Sequence, residues 1–224
     1  IAGATAATYI VTGASARDNG YYQAVVTNAA GTKMSAPAFV TVGYNSAQFA
    51  AAGYNNFGQS TIPSALTSAV MLGSGVGHNV VLKPDGSVFA WGDNTLGQTA
   101  VPAGLAGVVA VSTTMSHNLA LKSDGTVVAW GDNSYGQCTV PSELAGVVAV
   151  SAGNAHSLAL TADGTVVAWG NNDAGQATVP NGLTGVVAIA AGAGSQSLAL
   201  KSDGTVVGWG ASVTNRIAIP SGLS

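Results

Sequence analysis

At 224 residues the chain can hold one large domain or two small ones. Only 7% of its residues are Asp, Glu, Lys or Arg, against roughly 25% in ordinary soluble domains. Net charge is −3, and the six basic residues are scattered from Arg17 to Arg216. That leaves no basic stripe for phosphates or anionic lipid, which argues against nucleic acid and membrane surfaces as partners.

The single cysteine, Cys138, has no second cysteine to bridge. Charge-poor, Gly- and Val-rich composition of this kind suits an all-β extracellular protein. Ile1 is neither an initiator Met nor the start of a leader peptide, and it is expected to mark a processing site or the edge of a longer chain.

The first 43 residues carry short β-branched runs with a turn at Thr27-Asn28-Ala29-Ala30-Gly31, which predicts a hairpin before a last strand. From residue 44 onward the chain repeats itself, and self-similarity at a fixed period outranks other signals. Trp91-Gly92, Trp130-Gly131, Trp169-Gly170 and Trp209-Gly210 are spaced 39, 39 and 40 apart. Asp85-Gly86, Asp124-Gly125, Asp163-Gly164 and Asp203-Gly204 keep the same step, with the extra residue placed in GAGSQS, a connection.

One unit runs through GVVAVSAG, HSLALT, TVVAWG and TVP. The first is a short apolar run ending in Gly, a buried strand by pattern. The second and third flank Asp-Gly, which predicts a hairpin with a type I′ turn. TVP, closed by proline, is expected as a fourth strand. Four strands in 39 residues make a β-propeller blade. No 3.6-residue apolar period supports a helical solenoid.

Between third and fourth strands stands the segment GYNNFGQ, GDNTLGQ, GDNSYGQ or GNNDAGQ, beginning at Gly53, Gly92, Gly131 and Gly170. Gly and Asn tolerate left-handed backbone, and Asp and Asn side chains bond nearby amides, so the segment is a rebuilt loop shape. Gln59, Gln98, Gln137 and Gln176 are expected to bond backbone groups that the strands leave unpaired.

HSLALTADGTVVAWGNNDAGQATVP resembles the regulator of chromosome condensation repeat in a short bacterial form. Its wording AWGDNxxGQxTVP is similar to that of secreted propeller-type β-lactamase inhibitors. The resemblance covers about Gln48 to Ser224 and implies a seven-bladed propeller, of which about four blades are here, that presents loops to a partner. The inhibitors use aromatic anchors in the loop before the SLAL strand. The matching Gly75-Val76-Gly77, Thr114-Met115-Ser116, Gly153-Asn154-Ala155 and Ala193-Gly194-Ser195 hold none, which argues against β-lactamase binding.

ARDNGYYQAVVTNAAGTKMSAPAFVTV resembles the closing strands of a bacterial immunoglobulin-like domain, with Asp18, Gly20 and Tyr22 at its D-x-G-x-Y corner and Ala24 where antibody domains have cysteine. The expected fold is therefore all-β, with propeller repeats over 44–224 and part of an immunoglobulin-like sandwich over 1–43. Fewer residues precede the propeller than a sandwich needs, and PSGLS stops where another strand should begin. A piece of a longer surface protein, a subunit completed by neighbouring chains, and a closed four-bladed ring all remain open.

Chemistry is scarce. His78, His117 and His156 recur at 39-residue steps and could suggest a metal, but Gln196 takes the fourth place and each imidazole is expected to bond its own blade. Asp93-Asn94, Asp132-Asn133 and Asn171-Asn172-Asp173 lack the alternating carboxylates and final Glu of a calcium loop. No acid stands ready to orient a histidine beside a serine. Ala177–Leu200 is 24 residues without a charge, yet Pro180, Asn181, Ser195 and Gln196 interrupt it, so no membrane insertion is expected.

The four repeated tryptophans are expected in the core. The expectation is a non-enzymatic extracellular or cell-surface protein, structural or adhesive, with no cofactor and no metal. It would associate with itself or another surface protein, using Tyr54, Phe57, Leu96, Met115, Tyr135 and Asn154 as contacts. The alternative is a soluble propeller that binds a protein or a glycan. A lectin should repeat an aromatic at one loop position, and the Phe57, Leu96, Tyr135, Ala174 series supplies two.

Overall fold

The structure is a computed structural model describing Phe49–Ala211 and, ahead of it, the backbone of four short strands. Of these, β1 (Gly20–Tyr22) pairs antiparallel with β4 (Ala38–Val40). The hairpin expected around Asn28 is present, with β2 (Val25–Asn28) against β3 (Gly31–Met34) and Asn28 opposite Gly31. The Asp18–Tyr22 corner, and the sandwich it would belong to, rest on side chains and segments outside the described residues.

Each repeat folds into one antiparallel sheet. The first contains β5 (Met71–Ser74), β6 (His78–Leu82) and β7 (Val88–Gly92). The second contains β8 (Val108–Thr113), β9 (His117–Lys122) and β10 (Val127–Gly131). The third contains β11 (Val147–Ala152), β12 (His156–Thr161) and β13 (Val166–Gly170). The fourth contains β14 (Val186–Ala191), β15 (Gln196–Lys201) and β16 (Val206–Gly210).

The inserted residue leaves the ladder untouched: Ala191 faces Ser197 as Ala152 faces Ser157. Ser195, beside the insertion, takes up the change with φ 61°.

Two expectations need correction. The sheets have three strands, not four. After Gln, Val101 and Val140 donate to carbonyls two residues back, within their own segment, and the following proline has no N–H to extend a ladder. The segment still contributes, because Val101, Val140 and Val179 pack into the cores.

The Asp-Gly turns are also not type I′. That turn needs positive φ at two residues, and among the described residues only glycines and Ser195 have it. Gly125 N–H instead donates to Lys122 O, and Lys122 N–H to Thr126 O. This is a type I turn closed by glycine in the left-handed region. Asp124 Oδ1 stabilises it by accepting from the N–H and hydroxyl of Thr126.

Burial lies between sheets. Leu158, Leu160 and Val166 of the third pack on Val186, Ala199 and Trp209 of the fourth. Leu119 and Leu121 of the second meet Val147, Ala159 and Trp169 of the third, and Val80 and Leu82 meet Val108, Ala120 and Trp130 in the same way. A blade thus offers leucines from its middle strand on one face, and a small residue and a tryptophan on the other. Leu119 and Leu158 are fully buried, each contributing about 1.5–3 kcal/mol.

Candidate functional site

The chain has two rims. At one, the loop before the middle strand meets the loop after the third strand: Asp93, Asp132 and Asn171 N–H groups donate to Gly77, Ser116 and Ala155 carbonyls. At the other, the Asp-Gly turns meet the entry to the next blade, where Val108 N–H donates to Gly86 O and Val147 N–H to Gly125 O.

The loop rim is stiff. Gln98 Oε1 accepts from Leu96 N–H at 2.8 Å, and Gln59, Gln137 and Gln176 do the same for Phe57, Tyr135 and Ala174. Asn55, Asn94, Asn133 and Asn172 each accept from the N–H five residues on. The side-chain oxygen at the Asp position caps the turn two residues on, in Asp93–Thr95, Asp132–Ser134 and Asn171–Asp173. The loop motif is scaffold, as its composition predicts. Among the described residues no three His, Cys, Asp or Glu side chains group as metal ligands.

Beneath the rim runs a buried polar rail joining successive blades. The Gln98 carbonyl accepts from Asn118 Nδ2 at 2.8 Å and Trp130 Nε1 at 3.1 Å, both in the next blade. Gln137 and Gln176 carbonyls take a serine hydroxyl and a tryptophan in the same way.

The histidines complete the rail, and the expectation that each bonds its own blade is wrong. His78 Nε2 reaches Asn118 Oδ1 at 2.8 Å, His117 Nε2 reaches Ser157 Oγ at 3.0 Å, and His156 Nε2 reaches Ser197 Oγ at 3.0 Å. Every partner belongs to the following blade.

Ser157 and Ser197 already donate to glutamine carbonyls, so the rings donate from Nε2. Each Nδ1 is buried without a partner. Burial pushes His117 and His156 down to about 4 and lowers His78 as well. Although His117 touches a serine hydroxyl, both are fully buried and no carboxylate backs the ring. The pair is a joint and not a nucleophile with its base. Cys138 is similarly quiet, since burial pushes its thiol up to about 12 and Sγ donates to Asp132 O.

The rail carries the loop rim, where the expected contact residues sit. Tyr54, Phe57, Leu96, Met115 and Tyr135 are exposed there, Tyr54 at 66% and Tyr135 at 56%. Asn154 is half-buried, and its N–H donates to Gly192 O of the next blade, so it serves the seam more than the surface.

Sequence reasoning missed Val76, which is 68% exposed in the same row. Its place in the loop before a middle strand, equivalent to Met115, was the available signal. Phe57 lies close to this loop, with Cδ2 3.3 Å from where a Cβ on Gly77 would stand. The rim's charged groups among the described residues are Asp93, Asp132 and Asp173, whereas Lys83, Lys122 and Lys201 lie at the turn rim.

Residues 72–98, 108–137 and 147–176 match the family model of the Regulator of chromosome condensation (RCC1) repeat, so the chain carries RCC1-type repeats. No curated protein sequence matches it. Yeast RCC1 (Prp20), solved bound to Kap60, is 23% identical with a TM-score of 0.56, over 71% of this chain and 45% of that one. Prp20p from Saccharomyces cerevisiae, a structure described with its binding to Gsp1p and histones, is 21% identical with a TM-score of 0.57, over 78% and 48%. The ectodomain of the Physcomitrella patens receptor kinase CR4 is 21% identical with a TM-score of 0.60, over 72% and 46%. The chain spans about half the length of these proteins, and at such identities the likeness establishes the fold: all-β propeller blades.

Proposed function

We propose that this chain is a non-enzymatic binding protein that presents the loop rim to protein partners, in an extracellular structural or adhesive setting, with an immunoglobulin-like module ahead of the propeller. The observation that carries the reading is the row Tyr54, Phe57, Val76, Leu96, Met115 and Tyr135, exposed along one rim, with the Phe57, Leu96 and Tyr135 N–H groups each fixed by a glutamine side chain. Large apolar side chains gathered on a rigid surface mark protein contact sites. The absence of lysine from that rim among the described residues makes it apolar and mildly anionic.

Neighbours of the same fold include proteins solved or described with protein partners, which supports protein binding in general terms. Self-association or contact with another surface protein follows from the low charge and the open row. A glycan is the weaker reading, because Phe57 and Tyr135 are the only aromatics at the repeated loop position.

The test is light scattering of the chain over a range of concentrations, beside a Phe57→Ala/Tyr135→Ala variant. The wild type should rise above 21.8 kDa. The variant should associate at least about tenfold more weakly, with unfolding stability within about 0.5 kcal/mol of wild type, since both rings are exposed. Association unchanged with both rings removed would overturn the assignment of these residues, and a wild type of 21.8 kDa at every concentration would overturn self-association.

A further inference from the structure

Phe49–Gly53 precedes the first sheet and joins none of the sheets, yet it is shaped like the third strand of a blade. Gly53 has φ 114°, and the glycines that end β7, β10, β13 and β16 lie between 96° and 105°. The loop that follows is docked as in every later repeat: the Gln59 carbonyl accepts from Asn79 Nδ2 at 2.7 Å and Trp91 Nε1 at 3.0 Å. The segment therefore has the form of a blade's third strand, with no sheet partner among the described residues.

The place that the two inner strands take in later repeats is here a groove lined by Phe49, Ala51, Ile62, Leu72, Val81 and Trp91. Leu72 is 68% exposed, whereas its counterparts Val111, Val150 and Ile189 are half-buried under the preceding blade.

A hydrogen-bond position is open as well. Asn118 Oδ1 accepts two bonds, from Thr113 Oγ1 at 3.0 Å and from His78 of the preceding blade. Asn79 Oδ1, its equivalent, accepts only the Ser74 hydroxyl among the described residues.

We propose that this groove is an acceptor for a β-hairpin of the repeat's two inner strands, supplied in trans by a neighbouring chain that carries the repeat. The three intact seams specify the occupant. It needs leucines at the positions of Leu158 and Leu160 to cover Leu72 and Trp91, and a histidine to donate to Asn79. Residues 146–161, GVVAVSAGNAHSLALT, hold all of these. By the register of β12 on β13, His156 of the hairpin pairs with Gly53, Leu158 with Ala51 and Leu160 with Phe49. Strand addition of this kind draws affinity from main-chain bonds and specificity from alternate side chains. Tyr54 and Val76 of the exposed row also border this groove, whereas Phe57 and Tyr135, the rings that test the rim, lie outside it.

The test uses the 224-residue chain and a synthetic peptide of sequence 146–161, with a scrambled peptide as control. Calorimetry should show saturable one-to-one binding, and amide exchange should slow across 49–53. Leu72→Asp and Ala52→Pro, both at exposed positions, should each weaken binding at least about tenfold with unfolding unchanged, through lost burial and a lost ladder donor, since Ala52 holds the hydrogen-bonded position that Trp169 holds opposite Ser157. Absence of saturable binding, equal binding of the scrambled peptide, or unchanged affinity in both variants would overturn the proposal.

Discussion

Acid should loosen the propeller between pH 7 and pH 5 through the rail histidines, before its carboxylates are touched. His117 and His156 stand at about 4 in the folded chain and near 6.5 when unfolded. The cause is geometric. Nε2–H is used on the next blade, and a proton added at Nδ1 enters a buried position with no acceptor.

The sign follows from proton counting. Between these values the unfolded chain binds more protons than the folded one, so stability rises with pH there and is lost as pH falls from 6.5 towards 4. Each histidine contributes about 1.4 kcal/mol per pH unit within the window. The pair gives a loss of about 4 kcal/mol between pH 7 and pH 5, large beside a total of about 5–15 kcal/mol for a domain.

Asp85, Asp124, Asp163 and Asp203 are held below the usual carboxylate range by hydrogen bonds. Whatever they contribute disappears only below about pH 4, outside the window. The assay is urea unfolding followed by tryptophan fluorescence at pH 5 and pH 7, where the midpoint should move by about 1.5–2 M. A His117→Gln/His156→Gln variant, copying the Gln196 that the fourth repeat already uses, should lose more than half of that shift. An equal midpoint at both pH values, or the full shift in the double variant, would refute the reasoning.

Two further expectations concern the seams and loops. Gln98→Ala strips the acceptor from Leu96 N–H and the donor to Asp93, and should cost about 1–3 kcal/mol in urea unfolding. Gly131→Ala forces a side chain onto φ 104° with its Cβ 2.5 Å from Ser116 O. It should cost more than the roughly 1 kcal/mol of an ordinary helix or strand glycine exchange, and a Tm equal to wild type would contradict the close approach.

The sequence by itself determined the repeat, the strand order within a unit and the role of the loop. Those features are local: a Gly that must have positive φ, an Asp that caps its own turn, and a Gln that bonds two residues back all act within a few residues of chain. Of the four tryptophans expected in the core, Trp130, Trp169 and Trp209 are buried there, whereas Trp91 is half-buried at the groove.

Tertiary structure decided what crosses a seam. The partner of His78 lies 40 residues away on Asn118, and no periodicity distinguishes a bond within a blade from one to the next, since every repeat offers the same partners. The turn type escaped for a related reason. Asp-Gly permits several loops, and the strand ladder selects the one in which glycine alone is left-handed. Leu72 and Val111 occupy the same position of the repeat, yet only contact with a preceding blade buries one and leaves the other in solvent. That difference opens the acceptor groove.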